Sequence, residues 1–218
     1  MTTPKTVKNI LNDMDRTVAE LQKKGILNDY RAYSIKSIGQ SLFEISYPNK
    51  NEKSSIVFDK HVTGGTIMDT LLKNLQYNVL FYDKSFIQAE FIVNNNEVIK
   101  ERLVFMKKHN KIWNKKEIEQ FEIRDEDWFA EEFGVPIVMR IDFAPKDHVE
   151  GDHAKTHLTL SNHESCRIPI KGIVTFSEFV RFIVFHFYNI KMDLKVYRSS
   201  ANDTITEIEK KMIHINWN

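Results

Sequence analysis

Ser85 to Trp113 reads SFIQAEFIVNNNEVIKERLVFMKKHNKIW, two apolar runs on either side of an asparagine-rich reversal. Phe86, Ile87, Phe91 and Val93 precede the turn, and Val98, Leu103, Val104 and Phe105 follow it. Aromatic and β-branched side chains fit a pleated, half-buried surface, and asparagine tolerates the positive φ of a tight turn, so the stretch predicts an antiparallel hairpin. Working outward, YRAYSIKSI, SLFEISY and SSIVF are short runs of the same kind, broken by Gly39-Gln40 and PNKNEK, and predict an antiparallel meander. Downstream, VPIVMRIDF reads as a buried strand, and HLTLS and RIPI as two short ones.

The helical segments lie outside this strand block. TPKTVKNILNDMDRTVAELQKKG places Val7, Ile10, Leu11, Met14, Val18 and Leu21 at helical spacing, with Thr3 as N-cap and Pro4 at the first helical position, and ends at Gly25. GGTIMDTLLKNLQ returns to that spacing through Ile67, Leu71, Leu72 and Leu75. TFSEFVRFIVFHFYNI is the most apolar helix, with Thr175 and Glu178 spaced as a capping box. The acidic EIEQFEIRDEDWFAEEFG predicts one or two short helices, and NDTITEIEKKMIHINWN a last one whose Ile213, Ile215 and Trp217 dock on the body. Strands and helices are segregated rather than alternated, which argues for a single α+β domain over 1–218. Its expected architecture is a mainly antiparallel sheet packed with an N-terminal helix, 4–24, and an aromatic-rich C-terminal helix.

Composition narrows the function classes. With 42% hydrophobic and 28% charged residues, the 218-residue chain has the makeup of a globular protein with a substantial core. Thirty-one Lys and Arg balance thirty Asp and Glu, so no global field draws the protein to nucleic acid or membrane, and such binding requires a local patch. No window is long and apolar enough for a membrane span, and the N-terminus lacks the features of a signal or transit peptide, so a cytoplasmic protein is expected. One cysteine, Cys166, excludes an internal disulfide and a cysteine-based zinc knuckle; it reads as a core thiol. His186, within the Phe-rich helix, reads as a satisfied buried histidine.

Two features carry chemistry. The second strand of the central hairpin is rimmed by Lys100, Arg102, Lys107, Lys108 and Lys111, a basic stripe on a neutral chain that reads either as a solvated strand face or as a footprint for a phosphate backbone. The second is RIDFAPKDHVEGDHAKTHLTLSNHESCRIPI, Arg140 to Ile170, within the motif region 135–190, which holds half of the chain's eight histidines. Arg140 and Asp142 stand at i, i+2 and share a face of their strand, as a structural ion pair or as part of a site.

Three readings stay open. In the first, His148 and His157 are base and acid for phosphodiester cleavage, Arg140 and Arg167 hold the phosphate, and Asp142 orients an imidazole, with no metal required. In the second, His153, His157 and Asp142, helped by Asp147, His148 or Asp152, bind zinc or manganese; the His-x-x-x-His spacing would suit a helix, but Gly151 before it and THLTL after it argue for loop passing into strand. In the third, the protein is a non-catalytic module for nucleic acid or an acidic partner. VTGGT lacks the lysine of a phosphate-binding P-loop, and no dinucleotide-binding glycine pattern follows a strand.

The pattern RIDF, Pro145, His148, HLTL, CRIP and TFSEFVRFIVFHFY, together with the ending TITEIEKKMIHINW, resembles an uncharacterised bacterial domain-of-unknown-function family. The resemblance brings no assigned activity. It implies an accessory protein of defence or toxin–antitoxin neighbourhoods. RNA and an antitoxin or other defence-system protein are then the expected partners, and a ribonuclease or toxin-like effector the expected function.

Overall fold

The computed structural model describes residues 3–50, 64–107, 137–160, 166–193 and 203–216. The expectations for SSIVF, for the acidic segment 117–134, and for Lys108, Lys111 and Trp217 lie outside the described residues. Within them the chain runs α1 (Lys5–Lys23), β1 (Leu27–Tyr30), β2 (Ser34–Gly39), β3 (Leu42–Ser46), α2 (Gly64–Lys73), β4 (Val79–Phe81), β5 (Phe86–Asn94), β6 (Glu97–Lys107), β7 (Ile137–Phe143), β8 (Thr156–Leu160), β9 (Ile168–Pro169) and α3 (Phe176–Tyr188).

The nine strands form one sheet, seven of them in the order β1-β4-β5-β6-β7-β8-β9 with β2 and β3 off this path, and every strand pair in it is antiparallel. The expected α+β class holds. The β5–β6 hairpin is its spine, paired from Phe86↔Met106 to Asn94↔Glu97 with a register shift between Ile92 and Val93, and with Asn95 taking the turn at φ 53°. One edge of β5 is shared: β4 pairs with its first residues and β3 with its last, and β2 hangs on β3.

Side chains alternate across a strand, so each face is set by residue parity. Ile87, Ala89, Phe91, Leu103, Phe105, Met139, Ile141 and Leu158 point to one face, where α1 and α3 cover them with Val7, Met14, Leu21, Phe179, Val180 and Ile183. On the other face, α2 brings Met68 and Leu71 onto Phe86, Val104 and Met106 at one end of the sheet. Charged and polar side chains, Gln88 and Thr159 among them, occupy most of the rest.

The helix ends follow local chemistry. α3 begins with the expected capping box: the Thr175 hydroxyl accepts from Glu178 N, and Thr175 N donates to Glu178 Oε2 at 2.8 Å. It ends at Asn189 in the left-handed conformation. α1 differs from expectation. Pro4, not Thr3, is the N-cap and offers no side-chain bond; instead Lys5 N donates to Asn96 Oδ1 at 3.1 Å, so the tip of the hairpin caps the helix.

The C-terminal helix is not formed. Thr204 N donates to Lys171 O, Lys171 N to Ile215 O and Ile215 N to Pro169 O, so both ends of 204–215 are tied to the same three residues. A helix gains ~1.5 Å per residue and would carry those ends apart, so only a 3-10 turn, Glu209–Lys211, fits between them. Ile215 docks on Ile170, as expected, but Ile213 is 88% exposed.

One buried group on the apolar face predicts pH-dependent stability. Glu101 is 1% exposed, and its Oε1 has no hydrogen-bond partner among the described residues. Burial, reinforced by the nearby Glu178 carboxylate, raises its pKa well above the ordinary 4.5. The folded state then holds a proton that the unfolded chain releases, so stability falls as pH rises from about 4.5. Glu101→Gln keeps the shape without the charge. Urea titrations should show the variant gaining on the wild type between pH 4.5 and pH 8, the residual slope combining Asp13, whose pKa burial also raises, with His153 and His157, whose lowered pKa values act in the opposite direction. Identical slopes in both proteins would mean that Glu101 is ionised in the fold.

Candidate functional site

The charged face has a definite register. Glu90 on β5 lies opposite Arg102 on β6, Arg102 opposite Asp142 on β7, Asp142 opposite His157 on β8, and His157 opposite Pro169 on β9. These residues form one row across five strands, with charge alternating from Glu90 to Asp142. Opposite charges facing each other across strands are mutually stabilising.

Asp142 is the centre of the row. It is 4% exposed, and its two oxygens are divided between two arginines: Arg102 Nε donates to Oδ1 at 2.7 Å and Arg140 Nε to Oδ2 at 2.5 Å. Burial alone would raise the carboxyl pKa, but the charges of Arg102 and Arg140 outweigh it and hold the group below the ordinary 3.8. Toward β5, Glu90 lies 3.5 Å from Lys100 and 3.1 Å from Lys50, and Lys50 also bonds Glu44. Lys50, Lys100, Arg102 and Arg140 thus face Glu44, Glu90 and Asp142, which leaves this part of the face with excess positive charge.

His157 is 2% exposed, and its Nδ1 donates to the Ala154 carbonyl at 2.9 Å. A carbonyl only accepts, so Nδ1 carries the hydrogen and Nε2, 3.8 Å from Asp142 Oδ2, carries the lone pair of the neutral ring. Burial lowers the pKa of His157 and outweighs the Ala154 bond and the Asp142 charge, which favour the cation. The His153 ring packs edge-on against it, centroids 4.7 Å apart. His153 is less buried; burial and the charge of Arg167 lower its pKa. Its loop closes through Val149 N to His153 O at 2.9 Å and His153 N to Val149 O at 2.7 Å, with Gly151 at φ 75° turning the chain where a side chain would be strained.

Arg140, Asp142 and His157 are therefore brought together, and Arg167 lies near enough for its charge to act on His153. His148 is not part of this group. Its Nε2 contacts Glu209 Oε1 at 3.2 Å, because that fully buried carboxylate, part of a Thr206/Glu209 capping turn, draws the available donor. The imidazole pair is His153 and His157, not His148 and His157. The alternative metal set of His153, His157 and Asp142 is not assembled as ligands: both Asp142 oxygens face arginines, His157 Nδ1 faces a carbonyl, and among the described residues no group of three His, Cys, Asp or Glu side chains is placed to hold an ion. The His153 and His157 backbone is loop and strand, as Gly151 and THLTL indicated.

The basic stripe divides. Lys100 and Arg102 share the charged face, whereas Lys107, of odd parity, lies on the opposite one, bonded to Asp83 and 5.2 Å over the Tyr188 ring. Two other expectations change. Cys166 is half-buried, and His186 is exposed on the outer side of α3, against Phe182 and Phe185. Sequence reasoning missed Glu90 and Glu44, whose signal was a single acid set within each of the apolar strands β5 and β3, Lys50, which had none, and Glu209, whose signal was Thr206-x-x-Glu209.

No described helix is long and apolar enough to cross a membrane. No curated protein and no solved structure matches the chain. Residues 26–217 match the model of a family described as "Uncharacterized conserved protein (DUF2290)".

Proposed function

Because the chain belongs to this DUF2290 family, whose description carries no reaction, we propose its function from the site itself: the protein acts on nucleic acid, RNA in the first place, and seats the phosphodiester backbone on the charged face of its sheet. The observation that carries this reading is the sharing of Asp142 between Arg102 and Arg140. A carboxylate that takes the Nε of each arginine fixes two guanidinium planes on neighbouring strands. Pre-oriented guanidinium groups are the donors that suit phosphate oxygens. Arg102 and Lys100 retain 32% and 40% side-chain exposure, enough to reach a ligand in solvent.

A second reading, metal-independent cleavage by a toxin-like effector, is favoured by the contact of His153 with His157 beside these arginines. His153 is the accessible proton-transfer group. His157, neutral and buried, orients it. Binding comes first, because the buried His157 and the Glu209-bound His148 supply no second exposed imidazole.

Fluorescence anisotropy with a labelled single-stranded RNA tests both. Wild type is expected to bind, and Lys100→Gln to bind several-fold more weakly at unchanged melting temperature. If the RNA is cut, cleavage should persist in chelator and fail in His153→Ala. Absence of binding at low salt, or equal binding by wild type and Lys100→Gln, would sink the proposal.

A further inference from the structure

We propose that the cleft on the outer side of α3 is a binding site for a small amphipathic anion, an alkyl or aryl carboxylate with an apolar body. The cleft has a volume of about 530 Å³, within the roughly 300–1,000 Å³ of small-molecule sites. Leu158, Phe182, Phe185, Met192 and Ile215 supply apolar surface. Phe185 is 42% exposed, a large ring left toward solvent on the wall of a concave surface.

The rim decides the ligand's charge. Two carboxylates line the cleft, and both are engaged: Glu178 Oε2 accepts from Thr175 N at 2.8 Å in the helix cap, and Asp193 is 3.5 Å from Lys24. Arg181 and Lys191 also line it, and neither has an ion-pair partner among the described residues. His186 adds an exposed imidazole with its ring against Phe182 and Phe185. Apolar walls beside two cations that have no ion-pair partner among the described residues match a tail and a carboxylate. Leu158 points to the face opposite His157. The cleft is thus separated from the charged row by the sheet, and the two sites stand or fall independently.

Isothermal titration of the full chain with decanoate, kept below its micelle concentration, is the test, with decyltrimethylammonium and acetate as probes that keep only the tail or only the carboxylate. Decanoate is expected to saturate one site. Each control should bind at least ~10-fold more weakly, and the double variant Arg181→Gln/Lys191→Gln should lose ~10-fold in decanoate affinity at unchanged melting temperature. Phe185→Asp, a substitution at an exposed position, should weaken decanoate binding without weakening RNA binding. Equal affinity for decanoate and decyltrimethylammonium, an unaffected double variant, or no saturable binding would overturn the assignment.

Discussion

Asp142→Ala is expected to remove about 3–5 kcal/mol of stability, the cost of deleting one partner from a buried ionic cluster. The loss is not that of two hydrogen bonds alone. Arg102 and Arg140 would face each other across adjacent strands without the carboxylate that both bind, and Arg140 is itself only 20% exposed. The effect also has a pH signature. The folded pKa of Asp142 lies below the ordinary 3.8, so its contribution is present above about pH 4 and is lost as pH falls through the lower folded value. Wild type should therefore lose stability in that acid window, and the alanine variant should lack this component. Denaturant midpoints at pH 3 and pH 7 measure both effects. A variant within ~0.5 kcal/mol of wild type, in the range of an ordinary surface substitution, would show that the cluster is solvated and the row is not a built feature.

Phe179→Ala should cost about as much for a different reason. Phe179 is fully buried in α3, on the apolar face of the sheet where Val180 and Ile183 also pack. Truncation removes transfer free energy and leaves a cavity that rigid strands on one side and α1 on the other can only partly close, at about 3–5 kcal/mol. In a chain of this length that corresponds to a melting temperature lower by roughly 6–20 °C. Unlike Asp142→Ala, the loss should be independent of pH, because no titrating group changes environment. Differential scanning calorimetry at pH 3 and pH 7 separates the two mechanisms. A pH-dependent loss in Phe179→Ala would mean that α3 had shifted and disturbed its neighbours Glu101 and Asp13.

How far the sequence revealed these features depended on whether the interaction was local. The hairpin 86–107, the capping box at Thr175 and Glu178, and the shared face of Arg140 and Asp142 all rest on fixed periods or short spacings, and each was legible. Lys107 was grouped with Lys100 and Arg102 because charge draws attention by proximity in sequence, although its odd position places it on the other face. His148 was paired with His157 because both stand in one histidine-rich loop. The partner it takes instead, Glu209, lies 61 positions away and is placed by the turn that replaces the expected C-terminal helix. That turn was hidden for the same reason, since the bonds that tie 204–215 to 169–171 have no local signature. The division of Asp142 between two arginines likewise depended on the β6–β7 register, which opposes Arg102 to Asp142 across 40 positions of chain.

The phosphate-binding role proposed for the charged row is tested most directly by the salt dependence of RNA affinity. Each phosphate neutralised by a cation releases counterions, so the slope of log K against log salt counts the contacts. Wild type should show a negative slope of several units. Arg102→Gln and Lys100→Gln should each reduce its magnitude by about one, while Lys23→Gln, on the exposed side of α1, should leave it unchanged. A slope near zero, or one reduced as much by Lys23→Gln as by Arg102→Gln, would contradict the assignment of nucleic-acid binding to this face.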